Sequence, residues 1–202
     1  MVADMRGRRK RQANPQGKGL VPVLQGLEQA GPRVRLQPKQ IDQIEMELFT
    51  SLFVLQSELK FAPVPGQSYW MYHTDNGHRL LMVGPEEWHH PYPGRCIGEC
   101  ILQQDRTWTL RLQVDLDADA AFLDEVAVLR EKLHLALTRA ARMEDVLPAF
   151  EASLGYHSRV LAFLVGRSLL TSMQLSGIHS LDYEGARQSA CKALGLDQDH
   201  GE

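Results

Sequence analysis

Apolar positions recur at two periods along this chain, and the changes of period divide it. Ile41, Ile44, Leu48, Leu52, Leu55 and Leu59 follow one another at steps of three and four, which puts all six on one stripe of a helix. Phe49 and Phe53 widen the stripe, so the pattern predicts a helix covered on both sides. Pro38 suits its first turn, where a missing N–H costs no helical bond. Pro63, Pro65 and Gly66 break it. The period then shortens to two. Ser68–Thr74 is rich in aromatic residues, as strands are. Asp75-Asn76-Gly77 supplies the positive φ of a tight hairpin, with Asn76-Gly77 a type I′ signal, and residues 79–83 form the return strand. A Pro-rich connection from Gly84 to Gly94 leads to a third strand, Arg95–Leu102. Residues 103–106 turn the chain into a fourth, over 107–114. There Trp108, Leu110, Leu112 and Val114 share one face while Thr107, Thr109, Arg111 and Gln113 share the other. Such a sheet packs on one side and is wet on the other.

From Asp115 onward the period is helical again. Asp117 or Asp119 caps a helix carrying Phe122, Val126, Leu129, Leu133 and Leu137. A second segment opens at Glu144-Asp145, whose charges suit a helix N-terminus, and runs to Gly155. A third covers residues 156–176 and stops at Gly177. A fourth begins at its N-cap Asp182 and ends at Gly195. The predicted fold is α+β: a four-stranded antiparallel β-meander packed by an N-terminal helix, then a C-terminal region of three to four helices. Residues 20–114 form the helix-plus-meander domain and 115–196 the helical extension packed on it. Residues 1–19 and 197–202 read as flexible tails. Between tail and first helix, Leu20, Val21, Val23, Leu24 and Leu27 suggest a short docking helix or an extended strap.

Composition narrows the class. With 202 residues, 44% of them apolar, the chain can bury a real core. A net charge of −3 makes a basic nucleic-acid-binding surface over the whole molecule unexpected. Three cysteines, at 96, 100 and 191, do not make a disulfide framework and suit a reducing cytoplasm. No secretory h-region is visible, and the longest apolar run is far too short to span a bilayer. The expected location is cytoplasmic. The one strongly basic run, Arg6, Arg8, Arg9, Lys10 and Arg11, reads either as a solvated tail or as an arm for RNA or DNA.

All three tryptophans, Trp70, Trp88 and Trp108, fall within the sheet region, beside Tyr69, Tyr72 and Tyr92. Exposed, such rings stack a base, grip a proline-rich peptide or cage a cation; buried, they are core. Glu86 and Glu87 beside Trp88 and His89 are the best acid–base set, although they also suit a turn whose carboxylates cap backbone amides. His73, His78, His89, His90, Cys96 and Cys100 invite a zinc reading. Cys96 and Cys100, about 13 Å apart on an extended strand, cannot both reach one ion, so neither a metal nor any other cofactor is expected. No phosphate loop, nucleophile elbow or His-Glu-x-x-His motif is present.

Specific wording recurs within this region. Pro65-Gly66-Gln67-Ser68-Tyr69-Trp70-Met71-Tyr72, then Gly84-Pro85-Glu86-Glu87-Trp88, then Asp105-Arg106-Thr107-Trp108-Thr109 resemble a family shared by bacteria and eukaryotes, domain of unknown function 2452. That family couples G-x-x-Y-x-L-Y to P-E-E-W and later to D-x-S-W-T. The likeness covers about residues 38–113, and the opening Asn14–Pro22 stretch is similar to bacterial members. Met71 and Thr107 depart mildly from the pattern, at positions where Leu and Ser are usual. The resemblance implies no activity, cofactor or catalytic residue. The expected function is a non-enzymatic binding or adaptor role toward a protein partner, with Trp70, Tyr72, Glu86, Glu87, Trp88, His89 and Trp108 as candidate binding residues. The alternatives are nucleic-acid binding through the basic tail and an enzyme around Glu86, Glu87 and His89. The helix over 156–176, apolar nearly all round between Val160 and Val165, is a candidate homodimer seam.

Overall fold

A computed structural model describes residues 36–89, 93–113, 119–149 and 154–193. The basic run from Arg6 to Arg11, the segment over 20–35, His90, Tyr92, Val114 and the polar tail lie outside the described residues.

The first helix, α1, is Ile41–Leu55. Its stripe is as the spacing predicts: Ile41, Ile44, Leu48 and Leu55 are buried, with Phe53 and Val54 buried beside them. Both sides of α1 are apolar because it packs against the sheet on one side and a later helix on the other. It begins later than Pro38, with Gln40 as N-cap, and ends well before Pro63. The early stop has a visible competitor. Ser57 Oγ donates to Val54 O at 2.6 Å, and the next residue leaves the helix for the sheet. Glu58 N donates to His78 O at 2.8 Å, and Leu80 N donates to Glu58 O at 3.1 Å. Two bonds on a sheet edge outweigh one more helical turn, so Leu59 is buried from beyond the helix.

The four strands are β1 Ser68–Thr74, β2 Gly77–Leu81, β3 Arg95–Leu102 and β4 Trp108–Leu112. All pairings are antiparallel, as expected. The order is β2-β1-β3-β4, so the path departs from a plain meander at one connection. β3 returns beside β1, and the long Pro-rich segment passes across β1 to reach it. The far edge of β2 is already taken by Glu58. The hairpin also turns differently from the I′ expectation. Its positive φ falls at Gly77 (99°) rather than at Asp75 or Asn76, and Thr74 Oγ1 donates to Gly77 O at 2.8 Å to hold the corner. The left-handed residue is thus the glycine that opens β2 rather than either turn residue before it.

α2, Ala120–Arg139, starts at Asp119, whose Oδ1 accepts from Phe122 N at 3.1 Å. Of the helix expected from Glu144 to Gly155, the described residues form a 3₁₀ turn, Met143–Val146, while residues 150–153 lie outside them. Leu147 turns extended (ψ 141°), as a residue before proline must, and Pro148 cannot continue a helix. α3, Tyr156–Leu175, closes as predicted at Gly177 (φ 71°). Ile178 N donates to Met173 O at 3.1 Å, and Gly177 N to Gln174 O at 3.2 Å, the paired bonds of a Schellman end. α4, Tyr183–Ala193, follows Asp182, whose Oδ1 accepts from Gly185 N at 2.8 Å. Leu161, Val165, Leu169 and Met173 of α3 join Ile44, Leu48, Met71, Leu102 and Trp108 in one core. Among the described residues, no helix is long and apolar enough to cross a membrane.

Candidate functional site

Strand register decides which aromatic residues can meet a ligand. Trp70 pairs with Glu99, and Glu99 with Arg111, so these three form a row across one face. Trp108 pairs with Leu102 and points to the opposite, helix-covered face. It is 1% exposed. Its ring meets Tyr69 edge-on at 6.1 Å, and its backbone N–H donates to the buried Ser51 Oγ of α1 at 3.1 Å. Trp108 is therefore core, and no ligand reaches it.

The Pro-Glu-Glu-Trp segment lies over the other face. Pro85–Glu87 is a single 3₁₀ turn. Glu87 N donates to Gly84 O at 3.1 Å, while Gly84 N donates to Glu87 Oε1 at 2.8 Å, so Glu87 locks its own turn. Gly84 is required there by close approach: a Cβ would stand 2.9 Å from the Trp70 ring. Trp88 then lies edge-on to Tyr72 at 6.3 Å. Trp88 Nε1 donates to Tyr72 Oη at 3.0 Å, and Tyr72 Oη donates to Val83 O at 3.1 Å. Tyr72 is fully buried, so it fastens the loop rather than presenting itself. Tyr72→Phe removes both bonds and is expected to cost about 1 to 2 kcal/mol. A lowered melting temperature with red-shifted Trp88 emission would report it.

Between this turn and β4 lies a cleft of about 450 Å³, lined by Trp70, Gly84, Pro85, Glu86, Glu87, Glu99, Arg111, Leu112 and Gln113. Glu99 accepts from Ser68 Oγ and from Arg111 Nη1, the latter at 3.2 Å. Trp70 is half-buried, and Glu86 and Glu87 are exposed. Three carboxylates thus face one guanidinium beside an indole wall. Such a lining can accept hydrogen bonds from a cationic group and stack it. Of the predicted residues, Trp70, Glu86 and Glu87 line the cleft. Trp88 supports it from behind, His89 is exposed outside it, and Tyr72 and Trp108 are buried. Sequence reasoning missed Glu99 and Arg111. The alternation that put Arg111 on the wet face of β4 was the available signal.

The two strand cysteines separate for a reason spacing did not show. An irregularity of register between Met71 and Tyr72 leaves Cys96 opposite Tyr72 but Cys100 opposite Tyr69, hence on opposite faces. Burial pushes both thiols up from their ordinary range, which disfavours the thiolate a metal needs.

The Asp-x-Thr-Trp-Thr wording also has a mechanical basis. Lys39 Nζ reaches Glu47 Oε2 and Asp105 Oδ2, each at 2.5 Å. Asp105 Oδ1 accepts from Thr107 N at 3.1 Å and Thr107 Oγ1 at 2.7 Å. Burial alone would raise the Asp105 carboxyl, but hydrogen bonds from Lys39 and Thr107 outweigh it and hold it below its ordinary value. Burial would lower the Lys39 ammonium, and its two carboxylate partners instead hold it above. The turn before β4 is thereby tied to the start of α1.

Residues 34–128 match the family model described as "Protein of unknown function (DUF2452)". The chain is a member of that family. The DUF2452 segment comprises α1, the whole sheet, the cleft and the opening turns of α2, and α3 and α4 lie beyond it. No curated protein and no solved structure matches the chain.

Proposed function

We propose that this DUF2452 protein is a non-enzymatic binding module whose cleft receives a lysine- or arginine-bearing segment of a partner protein. The carrying observation is the lining itself: Glu86, Glu87 and Glu99 against Arg111, with Trp70 as wall. An ammonium or guanidinium gains carboxylate acceptors and an aromatic face there. A phosphate backbone meets mainly like charge, so the cleft does not favour nucleic acid; that reading rests on Arg6 to Arg11 alone. An acid–base role is less well supported, because Glu87 already accepts from the Gly84 amide and His89 stands outside the lining.

The test is a titration of the full chain with short basic and short acidic peptides, followed by tryptophan fluorescence. Basic peptides are expected to give a saturable change that weakens with salt and is lost in Trp70→Phe. Glu86→Gln combined with Glu99→Gln is expected to lower affinity roughly 5- to 30-fold, since partly exposed pairs contribute about 0.5 to 1 kcal/mol each. Equal response to acidic peptides, or no saturable response to either kind, overturns the proposal.

A further inference from the structure

At the opposite face of the sheet, on its rim, three potential metal donors converge, two from the β1–β2 hairpin and one from α2, far from it in sequence. His73 of β1 and His78 of β2 are direct register partners, and His73 Nδ1 stands 3.4 Å from His78 Nε2. Glu125 of α2 approaches the same two residues from the other nitrogen of the His78 ring, with one oxygen 3.9 Å from Nδ1. Taking one donor atom from each residue, all three lie within 4.8 Å of one another.

We propose that His73, His78 and Glu125 bind a divalent transition-metal ion of the zinc class. Two imidazoles with one carboxylate are a donor set suited to Zn²⁺. Zinc–nitrogen bonds of about 2.0 to 2.1 Å place neighbouring tetrahedral donors roughly 3.3 to 3.4 Å apart, the spacing the imidazole nitrogens already have. Glu125 is exposed, and a side-chain rotation brings its carboxylate closer. A fourth position is left for water or an incoming donor.

The supports of this site are built into the fold. The hairpin corner beside the two histidines is held by Thr74 and Gly77. On the other side of His73, its register partner Arg95 pairs with Asp119, the N-cap of α2, and so places the second turn of α2 and its Glu125 over the hairpin. Phe53 packs against the His78 ring at 5.0 Å, and Phe122 meets Phe53 at 6.4 Å, giving the site an apolar wall. Burial holds His78 below the ordinary histidine range, against the pull of Glu125. The bound ion would staple the β1–β2 hairpin to α2.

The experiment loads the untagged full chain with Zn²⁺ in a calorimeter and with Co²⁺ in an absorption spectrometer. One equivalent per chain, a higher melting temperature with zinc and the intense visible bands of four-coordinate cobalt are expected. His73→Gln and Glu125→Gln alter exposed side chains and leave the core intact. Each is expected to weaken zinc binding by about 100-fold, given that changes to supporting groups alone cost 10- to 100-fold. His89→Gln, outside the cluster, is expected to bind like the parent. Unchanged affinity in both His73→Gln and Glu125→Gln, or only the weak spectrum of six-coordinate aquated cobalt, overturns the proposal.

Discussion

Trp108→Ala is expected to lower the free energy of unfolding by about 3 to 5 kcal/mol, the range for emptying a large aromatic site in a core. The residue is 1% exposed and is surrounded by α1 and the inner face of the sheet, so little of the resulting space can close. Its backbone N–H bond to Ser51 survives the substitution, which confines the loss to the ring. Trp70→Ala, on the half-exposed wall of the cleft, is expected to cost only about 1 kcal/mol. Urea titration of both variants measures the contrast. Similar midpoints would mean that the two faces of the sheet contribute alike, against the burial of Trp108 and the half-exposure of Trp70. The indole Nε1 of Trp108 has no hydrogen-bond partner among the described residues. Trp108→Phe is for that reason the milder substitution, since it removes a buried donor along with the volume.

Lys39→Met is expected to cost about 3 kcal/mol, the lower end of the range for breaking a buried ion pair. The Lys39 side chain is 8% exposed, and its two carboxylate partners are 16% and 19% exposed. Without the ammonium, Glu47 and Asp105 face each other in a poorly solvated corner. Adding Glu47→Gln is expected to recover much of the loss, because Asp105 keeps its two bonds from Thr107. The effect depends on pH in a defined sense. The depressed Asp105 pKa contributes stability that is complete above the ordinary carboxyl value of 3.8 and disappears as pH falls through the lower folded value. The raised Lys39 pKa contributes stability that is complete below 10.5 and disappears as pH rises through the higher folded value. Melting temperatures of parent and Lys39→Met should therefore differ most between those limits and converge in acid. A gap that persists well below pH 3.8 would assign the loss to packing of the lysine stem instead.

Much of this architecture was legible because it rests on local periodicity. The stripe from Ile41 to Leu55, the alternation of β4 as far as Arg111, the glycine end of α3 and the Asp119 and Asp182 caps each follow from neighbours a few residues apart; Leu112, expected on the packed face, is instead 42% exposed at the strand's end. Non-local competition erased the signal elsewhere. Nothing near Ser57 in sequence announces that Glu58 will bridge to β2. Nothing between Gly84 and Gly94 says that the connection will cross β1 and set β3 on its other side. The aromatic cluster was visible as a set of residues, but its division into a core ring and a cleft ring required the register. Glu99 and Arg111 enter the cleft through that register alone. The histidines were visible as well, yet their third partner comes from α2, some fifty residues away, where no spacing rule reaches.

The contacts of α1 with the sheet have a further consequence for self-association. Ser51 holds the first amide of β4, and Glu58, just past the helix, occupies the outer side of β2. These are the two border strands of the sheet, and one short stretch of chain guards both. Detachment of α1 uncovers both borders in a single event, leaving rows of unpaired amides and carbonyls ready to add strands from other copies. Substitutions that loosen α1 should accordingly turn reversible melting into concentration-dependent aggregation, whereas lesions in α4 should leave the borders covered.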